Sequence, residues 1–298
     1  MPKTIITVTP IGFISRKEVP TLAVTVDEIV DEIYRCYEAG ASVVHLHARD
    51  PVSGLHVFDG KKMNAINKEY IPAIRKRCDI LVNVSTGNGR SAYGPDGVLW
   101  GNPETDFEIF EERFKLKPDI ASLNMGPIAR RPKAELPGRQ IAKWGTISFN
   151  TVPWLRELVR LMKKYKVKPE LEIYDLGHIQ VAKELAEEGT LDTPLYCQFV
   201  MSIVTPATPK NLITFYEALP KGSIWSTCAM GRDEFPMITQ ALLLDANGIR
   251  VGFEDNIRLS KTEVAKSNVD LVSKAVRIMK ELGYEVATPK EAREILGI

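Results

Sequence analysis

The chain has 298 residues, 44% of them hydrophobic and 26% charged, with a formal net charge of +1. That balance fits a globular protein with a large core and argues against an electrostatic nucleic-acid binder, which would carry a basic stripe. Four cysteines (Cys36, Cys78, Cys197, Cys228) stand apart with no C-x-x-C spacing, so they read as reduced core residues of a cytoplasmic protein, not a disulfide frame.

In chain order, Met1-Pro2-Lys3 enters an apolar run too short for a signal peptide. The first strand covers Thr4–Ile11 and closes at Gly12. A capping box, Thr25-x-x-Glu28, starts a helix over 26–38 that ends at Gly40. The second strand, 43–49, carries His45 and His47. A helix over 61–76 holds Pro72, which should bend or interrupt it. The third strand, Ile80–Ser85, runs into Thr86-Gly87-Asn88-Gly89, followed by a long loop and a helix near 104–115. The fourth strand, Asp119–Asn124, precedes a long stretch over 127–148 and a helix over 151–165, whose basic end is solvated. The fifth strand, Glu170–Tyr174, and the sixth, Leu195–Met201, are each followed by a helix, near 178–188 and 210–219. The seventh strand, Ser223–Ala229, leads to a helix over 234–246 closed by Gly248. The eighth strand, Ile249–Glu254, precedes a long helix over 262–282 with a box at Ser260-x-x-Glu263. A last short helix starts at Thr288-Pro289. No stretch approaches the ~18 apolar residues of a membrane span.

Eight apolar strands alternate with eight helices, which predicts a parallel (β/α)₈ TIM barrel forming one domain over 1–298. The competing doubly wound sheet lacks a G-x-G-x-x-G after its first strand. Barrel active sites lie where the strands finish. Those ends supply His45 and His47, Ser85 and Thr86, Ser122 and Asn124, Glu170 and Glu172, and Arg250, Glu254 and Asp255.

Alternate strand positions share a face, so His45 and His47 form a natural pair of metal ligands. The plainer alternative is two histidines satisfied by local hydrogen bonds. Glu254 is the best third ligand, because it shares strand phase with Gly252 and Arg250 and the eighth strand lies near the second around a closed ring. Asp255 could then take a proton and Arg250 hold an anion, although both carboxylates could also serve as caps or ion pairs. Arg250 is harder to dismiss, since an unpaired buried charge is costly. Ser85 and Ser122 alone carry little weight, and His56 and His178 read as surface or loop residues.

Several motifs in order strengthen this pattern. They are Glu38-Ala39-Gly40-Ala41 with His45-Leu46-His47, Ser85-Thr86-Gly87, Leu123-Asn124-x-Gly126, Lys168-Pro169-Glu170-Leu171-Glu172 and Arg250-Val251-Gly252-Phe253-Glu254-Asp255-Asn256. Together they resemble the β-keto acid cleavage enzymes, the family that includes the 3-keto-5-aminohexanoate cleavage enzyme. The resemblance spans nearly the whole chain. It implies a zinc-dependent TIM barrel that converts a β-keto acid and acetyl-CoA into acetoacetate and a new acyl-CoA. It implies zinc (Zn2+) on His45, His47 and Glu254, and deprotonation of substrate by Ser85, Arg250 and Asp255 together. Enolate attack on acetyl-CoA, internal CoA transfer and retro-Claisen cleavage would follow. Ser122, Asn124, Thr86 and Glu172 would line the substrate pocket.

One departure concerns specificity. Where relatives with an amino-bearing substrate have a Glu shortly after the first strand, alignment through Gly12 places Ile14, which favours a neutral or apolar tail. The segment 88–109, with Tyr93, Trp100 and Phe107, is long and could reshape the pocket or a subunit contact. Arg90, Arg130, Arg131 and Arg232 are candidates for holding CoA. The resemblance also implies a homotetramer. The alternatives to an acyltransferase are a metal-dependent barrel hydrolase, which usually needs further histidines, and a non-catalytic metabolite-binding barrel.

Overall fold

A computed structural model of the protein describes residues 3–87, 103–130 and 146–298. Arg90, Tyr93, Trp100 and Arg131 lie outside the described residues. Eight parallel strands close into a barrel: β1 (Lys3–Val8), β2 (Val43–Leu46), β3 (Leu81–Val84), β4 (Ile120–Asn124), β7 (Lys168–Ile173), β8 (Tyr196–Met201), β9 (Ile224–Ala229) and β10 (Gly248–Val251), with β10 pairing back onto β1. Eight helices follow them: α1 (Val26–Glu38), α2 (Gly60–Arg77), α3 (Pro103–Phe114), α4 (Val152–Tyr165), α5 (Leu176–Glu187), α6 (Pro209–Ala218), α7 (Glu234–Leu243) and α8 (Asn268–Glu281). The chain is thus a (β/α)₈ TIM barrel. An antiparallel hairpin, β5 (Ile128–Arg130) with β6 (Thr146–Ser148), is inserted after β4. A short β11 (Glu285–Val286) joins β1, ahead of α9 (Pro289–Leu296). No described helix is long and apolar enough to cross a membrane.

The strands are buried on both faces, and the two faces differ in chemistry. Outward residues such as Val44, Val82, Leu171, Phe199 and Val251 pack with the helices into one large apolar jacket. Each such side chain contributes about 1.5–3 kcal/mol by leaving water. Inward residues start apolar at the N-terminal end of the barrel, with Ile5, Val43, Leu81, Ile120, Tyr196 and Ile224 in one cluster. Two residues further along, the same inward phase turns polar: His45, Asn83, Ser122, Gln198, Ser226 and Arg250, all buried. The outer jacket therefore carries a polar interior that opens at the C-terminal ends of the strands.

Several boundaries differ from the sequence reading. The Thr25–Glu28 box and the Thr288-Pro289 start are both present. Pro72 does not interrupt α2; it is exposed, and so is Lys68, the residue whose carbonyl it leaves without an amide. Ser260 caps only a turn, accepting from the Glu263 amide, whereas α8 begins at Asn268, where the Asp270 carboxylate accepts from the Lys266 and Ser267 amides. α7 stops at Leu243, and Gly248 opens β10 instead of ending the helix. His56 and His178 are buried, not superficial. The His178 ring packs against Tyr174, and the His56 ring packs against both Phe13 and Phe58.

Candidate active site

β2 delivers His45 from within the strand and His47 just past its end, and the two rings meet edge to face with centroids 5.2 Å apart. Glu254 arrives differently from the expected strand position. β10 ends at Val251, and the chain then turns at Gly252, whose φ of +147° favours glycine. A Cβ there would lie 2.5 Å from the Thr9 carbonyl oxygen. The turn hooks onto the loop after β1: the Thr9 amide donates to Val251, and the Glu254 amide donates to Thr9 at 3.1 Å. Gly12 presses on the same turn, with 2.0 Å between an added Cβ and the Phe253 carbonyl oxygen. Phase along a strand was therefore the wrong reason for Glu254, although the residue still reaches the histidines.

Glu254 Oε1 lies 3.2 Å from His47 Nε2, and Oε2 lies 3.8 Å from His45 Nε2. One ligand atom from each residue falls within 4.8 Å of the others, close enough to surround one ion. The surroundings fit a metal. Oε2 of Glu254 is buried without a hydrogen-bond partner, an expense that coordination would offset. Burial pushes the His45 imidazole down to about 3, with Glu254 opposing, so the ring is a neutral donor at ordinary pH. Burial pushes the Glu254 carboxyl up, but Arg250 and the two histidines outweigh it and hold the group well below the usual carboxylate range. Two imidazoles and one carboxylate make a three-ligand set with room for substrate oxygens.

Arg250 organises the adjoining charges. Its guanidinium is 2% exposed and grips Asp255 through two 2.8 Å bonds, Nε to Oδ2 and Nη2 to Oδ1. Nη2 also lies 2.9 Å from Glu254, and Nη1 lies 3.5 Å from Glu172. Burial lowers the affinity of Arg250 for its proton, but Asp255 and Glu254 outweigh that and keep it charged. Burial pushes the Asp255 carboxyl up to about 6 against the pull of Arg250. Burial also pushes the Glu172 carboxyl up to about 8, again with Arg250 opposing, and the Tyr174 hydroxyl donates to it at 3.3 Å.

The remaining expected residues make contacts of their own. Thr86 and Ser122 lock together: the Thr86 hydroxyl donates to the Ser122 carbonyl at 2.7 Å, and the Thr86 amide donates to Ser122 Oγ at 3.3 Å. The Ser85 hydroxyl oxygen accepts from the Gly87 amide rather than bonding Arg250 or Asp255, and Arg113 holds its carbonyl. Asn124 closes β4 with its buried Oδ1 unpartnered. Ile14 is half-buried against the apolar jacket, and its carbonyl accepts from Arg49, which also holds the carbonyls of Gly12 and Gly54. Sequence reasoning missed Asn83, Tyr196 and Tyr174. Asn83 had a signal: a strand-depleted amide inside the apolar run Leu81-Val82-Asn83-Val84, in phase with Ser85.

A (β/α)₈ barrel with two histidines, a carboxylate and an Arg–Asp pair at the strand ends defines a barrel of enzyme-like construction with three residues able to hold a metal ion. Comparison with known proteins narrows this class. The sequence profile for "beta-keto acid cleavage enzyme" matches residues 3–298, and the chain belongs to that family. It is 38% identical to a 3-keto-5-aminohexanoate cleavage enzyme of Acetoanaerobium sticklandii over 100% of this chain and 99% of that one. It is 33% identical to a 3-oxoadipate:acetyl-CoA acetyltransferase of Cupriavidus necator, covering 99% of this chain and 94% of that one. Among solved structures, the apo structure of ObcA superposes with a TM-score of 0.68 at 17% identity. It covers 93% of this chain and 66% of ObcA, which speaks to the fold alone.

Proposed function

We propose that the protein is a zinc-dependent acyltransferase that exchanges acyl groups between a β-keto acid and acetyl-CoA. The overall change is R–CO–CH₂–CO₂⁻ + CH₃–CO–S–CoA → CH₃–CO–CH₂–CO₂⁻ + R–CO–S–CoA. The observation that carries this reading is the contact between the His45–His47–Glu254 cluster and the buried Arg250–Asp255 pair, in a chain of this family. Zinc bound there would supply Lewis acidity toward the substrate's keto and carboxylate oxygens.

The chain's own groups account for the rest. Asp255, poised near neutral pH, takes the acidic proton between the two carbonyl groups, and Arg250 offsets the negative charge left on the substrate. The C2 carbon then attacks the thioester carbonyl. The displaced CoA thiolate adds to the original keto carbon, and cleavage of the C2–C3 bond gives the new thioester and leaves the electron pair on C2, which takes the proton back from Asp255 to release acetoacetate. Ser85 helps orient the deprotonation, and Ser122, Asn124, Thr86, Glu172 and Ile14 line the substrate side. Ile14 favours a neutral tail, because an apolar side chain offers a cationic group no partner.

The chain is read as one domain acting in the cytoplasm as a homotetramer, a reading supported by its scattered free cysteines and its likeness to the family. The test is zinc-loaded protein with acetyl-CoA and a panel of β-keto acids whose tails differ in charge, assayed for acetoacetate and new acyl-CoA. Acetoacetate formation supports the reading. Hydrolytic products without thioester transfer, or bound zinc with no turnover across the panel, would refute it.

A further inference from the structure

The proposed chemistry leaves the fully buried carboxylate of Glu170 without a role. Glu170 on β7 accepts from Asn83 Nδ2 at 2.6 Å and from the Tyr196 hydroxyl at 2.9 Å. A carboxylate in this position requires donors, so the Asn83 amide must present its NH₂ to Glu170, which turns its carbonyl oxygen the other way. That oxygen, Asn83 Oδ1, is buried with no partner. Nδ1 of His45 is buried and unpartnered as well. The two residues are Cα partners on the β2–β3 ladder, and both project into the barrel. Adjacent strands there lie about 5 Å apart. One is an acceptor lacking a donor. The other sits on a ring whose Nε2 faces Glu254, and it must carry the proton if Nε2 is to offer its lone pair.

We propose that Asn83 is a positioning residue, with Oδ1 accepting the Nδ1–H of His45 and so setting the tautomer and plane of that imidazole for ligation through Nε2. Glu170 orients the Asn83 amide, and Tyr196 anchors Glu170 from the floor of the barrel. The chain Tyr196–Glu170–Asn83–His45 links the apolar base of the barrel to the metal cluster. Its rigidity lies in strands, where a mobile loop would leave the ring free to turn. The inference rests on the metal reading above and is independent of which acyl group is transferred.

Two measurements test it. In ¹⁵N-labelled, metal-free full-length protein, long-range ¹H–¹⁵N spectra of the imidazoles, assigned with His45→Gln, report the tautomer directly. His45 should be neutral with its proton on Nδ1. Zinc affinity is then measured by competition with a chromophoric chelator. Asn83→Leu should bind zinc about 10–100-fold more weakly, the usual effect of removing an outer partner of a ligating histidine. Asn83→Asp keeps an accepting oxygen toward His45 but gives up the NH₂ that Glu170 requires, so it should bind zinc more tightly than Asn83→Leu and more weakly than wild type. Glu170→Gln no longer dictates the amide orientation and should fall between. An Nε2-protonated His45 in the wild type, or wild-type zinc affinity in Asn83→Leu, overturns the proposal. If Asn83→Leu does not fold, the wild-type tautomer and Glu170→Gln decide. Protein that shows these trends but does not turn over β-keto acids keeps this inference while refuting acyl transfer. Wild type that binds no zinc refutes the metal reading, and the ring spectrum still decides the Asn83 contact.

Discussion

Replacing Arg250 with leucine is a direct test of the charge arrangement. The guanidinium is 2% exposed and serves Asp255 twice at 2.8 Å, Glu254 at 2.9 Å and Glu172 at 3.5 Å. Leucine leaves these carboxyls with their desolvation cost and removes the charge that offsets it. Glu172 can stay protonated up to about pH 8, so the loss falls mainly on Asp255 and Glu254. Breaking one buried pair costs about 3–5 kcal/mol. Unfolding entropy of ~2.1 cal/mol/K per residue over 298 residues converts that to a Tm loss of about 5–8 °C. The assay is thermal unfolding of metal-free protein at pH 7.5, because a bound divalent cation would itself offset the carboxylates and shrink the effect. The double variant Arg250→Leu/Asp255→Leu should recover part of the loss, since the cost lies in the stranded charge and not in the missing bond. A single variant within about 1 kcal/mol of wild type, or a double variant no more stable than the single, would refute the reasoning.

Gly12→Ala should destabilise the protein by about 1–3 kcal/mol or more, and should also weaken zinc binding, because its Cβ would meet Phe253 backbone atoms at 2.0 and 2.6 Å and the Glu254 Cα at 2.7 Å. Calorimetry and chelator competition read both effects, and unchanged zinc affinity would show that the turn does not set Glu254. Stripping zinc with a chelator should lower Tm by about 4 °C relative to protein held at 100 times the dissociation constant, a linkage of ~2.7 kcal/mol. Equal melting curves with and without metal would count against a specific site. Glu291 accepts from the Thr288 amide and hydroxyl and from Lys3, and these bonds, Lys3 foremost, pull its carboxyl down to about 2. Its folded pKa lies below the unfolded value. The stability it gives α9 is therefore complete above about pH 4.5 and lost as pH falls toward 2. A carboxyl NMR titration with a midpoint near 4.5 would contradict this. Ile14→Glu should shift preference toward β-keto acids with cationic tails, read as a change in relative kcat/KM across the substrate panel. An unchanged ranking would remove Ile14 from the specificity surface.

Much of the fold was legible in the sequence because each βα unit carries local signals. Strands buried on both faces read as short apolar runs, and helices read as amphipathic stretches with caps such as Thr25–Glu28 and Thr288–Glu291. The closed parallel order follows from those units with little help from long-range detail. Local pattern failed where several signals competed. Ser260–Glu263 has the spelling of a capping box but closes only a turn, and the helix waits for Ser267 and Asp270. Pro72 is accommodated in α2 where it and Lys68, four residues before it, are both exposed, a fact of exposure and not of spacing.

The same division holds at the site. The sequence alone singled out His45-Leu46-His47 and the Arg250–Asp255 segment, because a polar residue inside an apolar strand is costly enough to require a reason. Tertiary structure decided how Glu254 reaches the histidines: by a glycine turn hooked onto Thr9, not by strand phase. It also decided that Glu170 and Glu172, alike in sequence and two residues apart, have different neighbours. Glu170 meets Asn83 and Tyr196 in the barrel floor, while Glu172 faces Arg250 and Tyr174 at its mouth. Spacing determines which face of a strand a side chain takes. Only closure of the ring brings residues 45, 83, 170 and 254 into one buried volume, where low polarizability and scarce water make each partner's identity count.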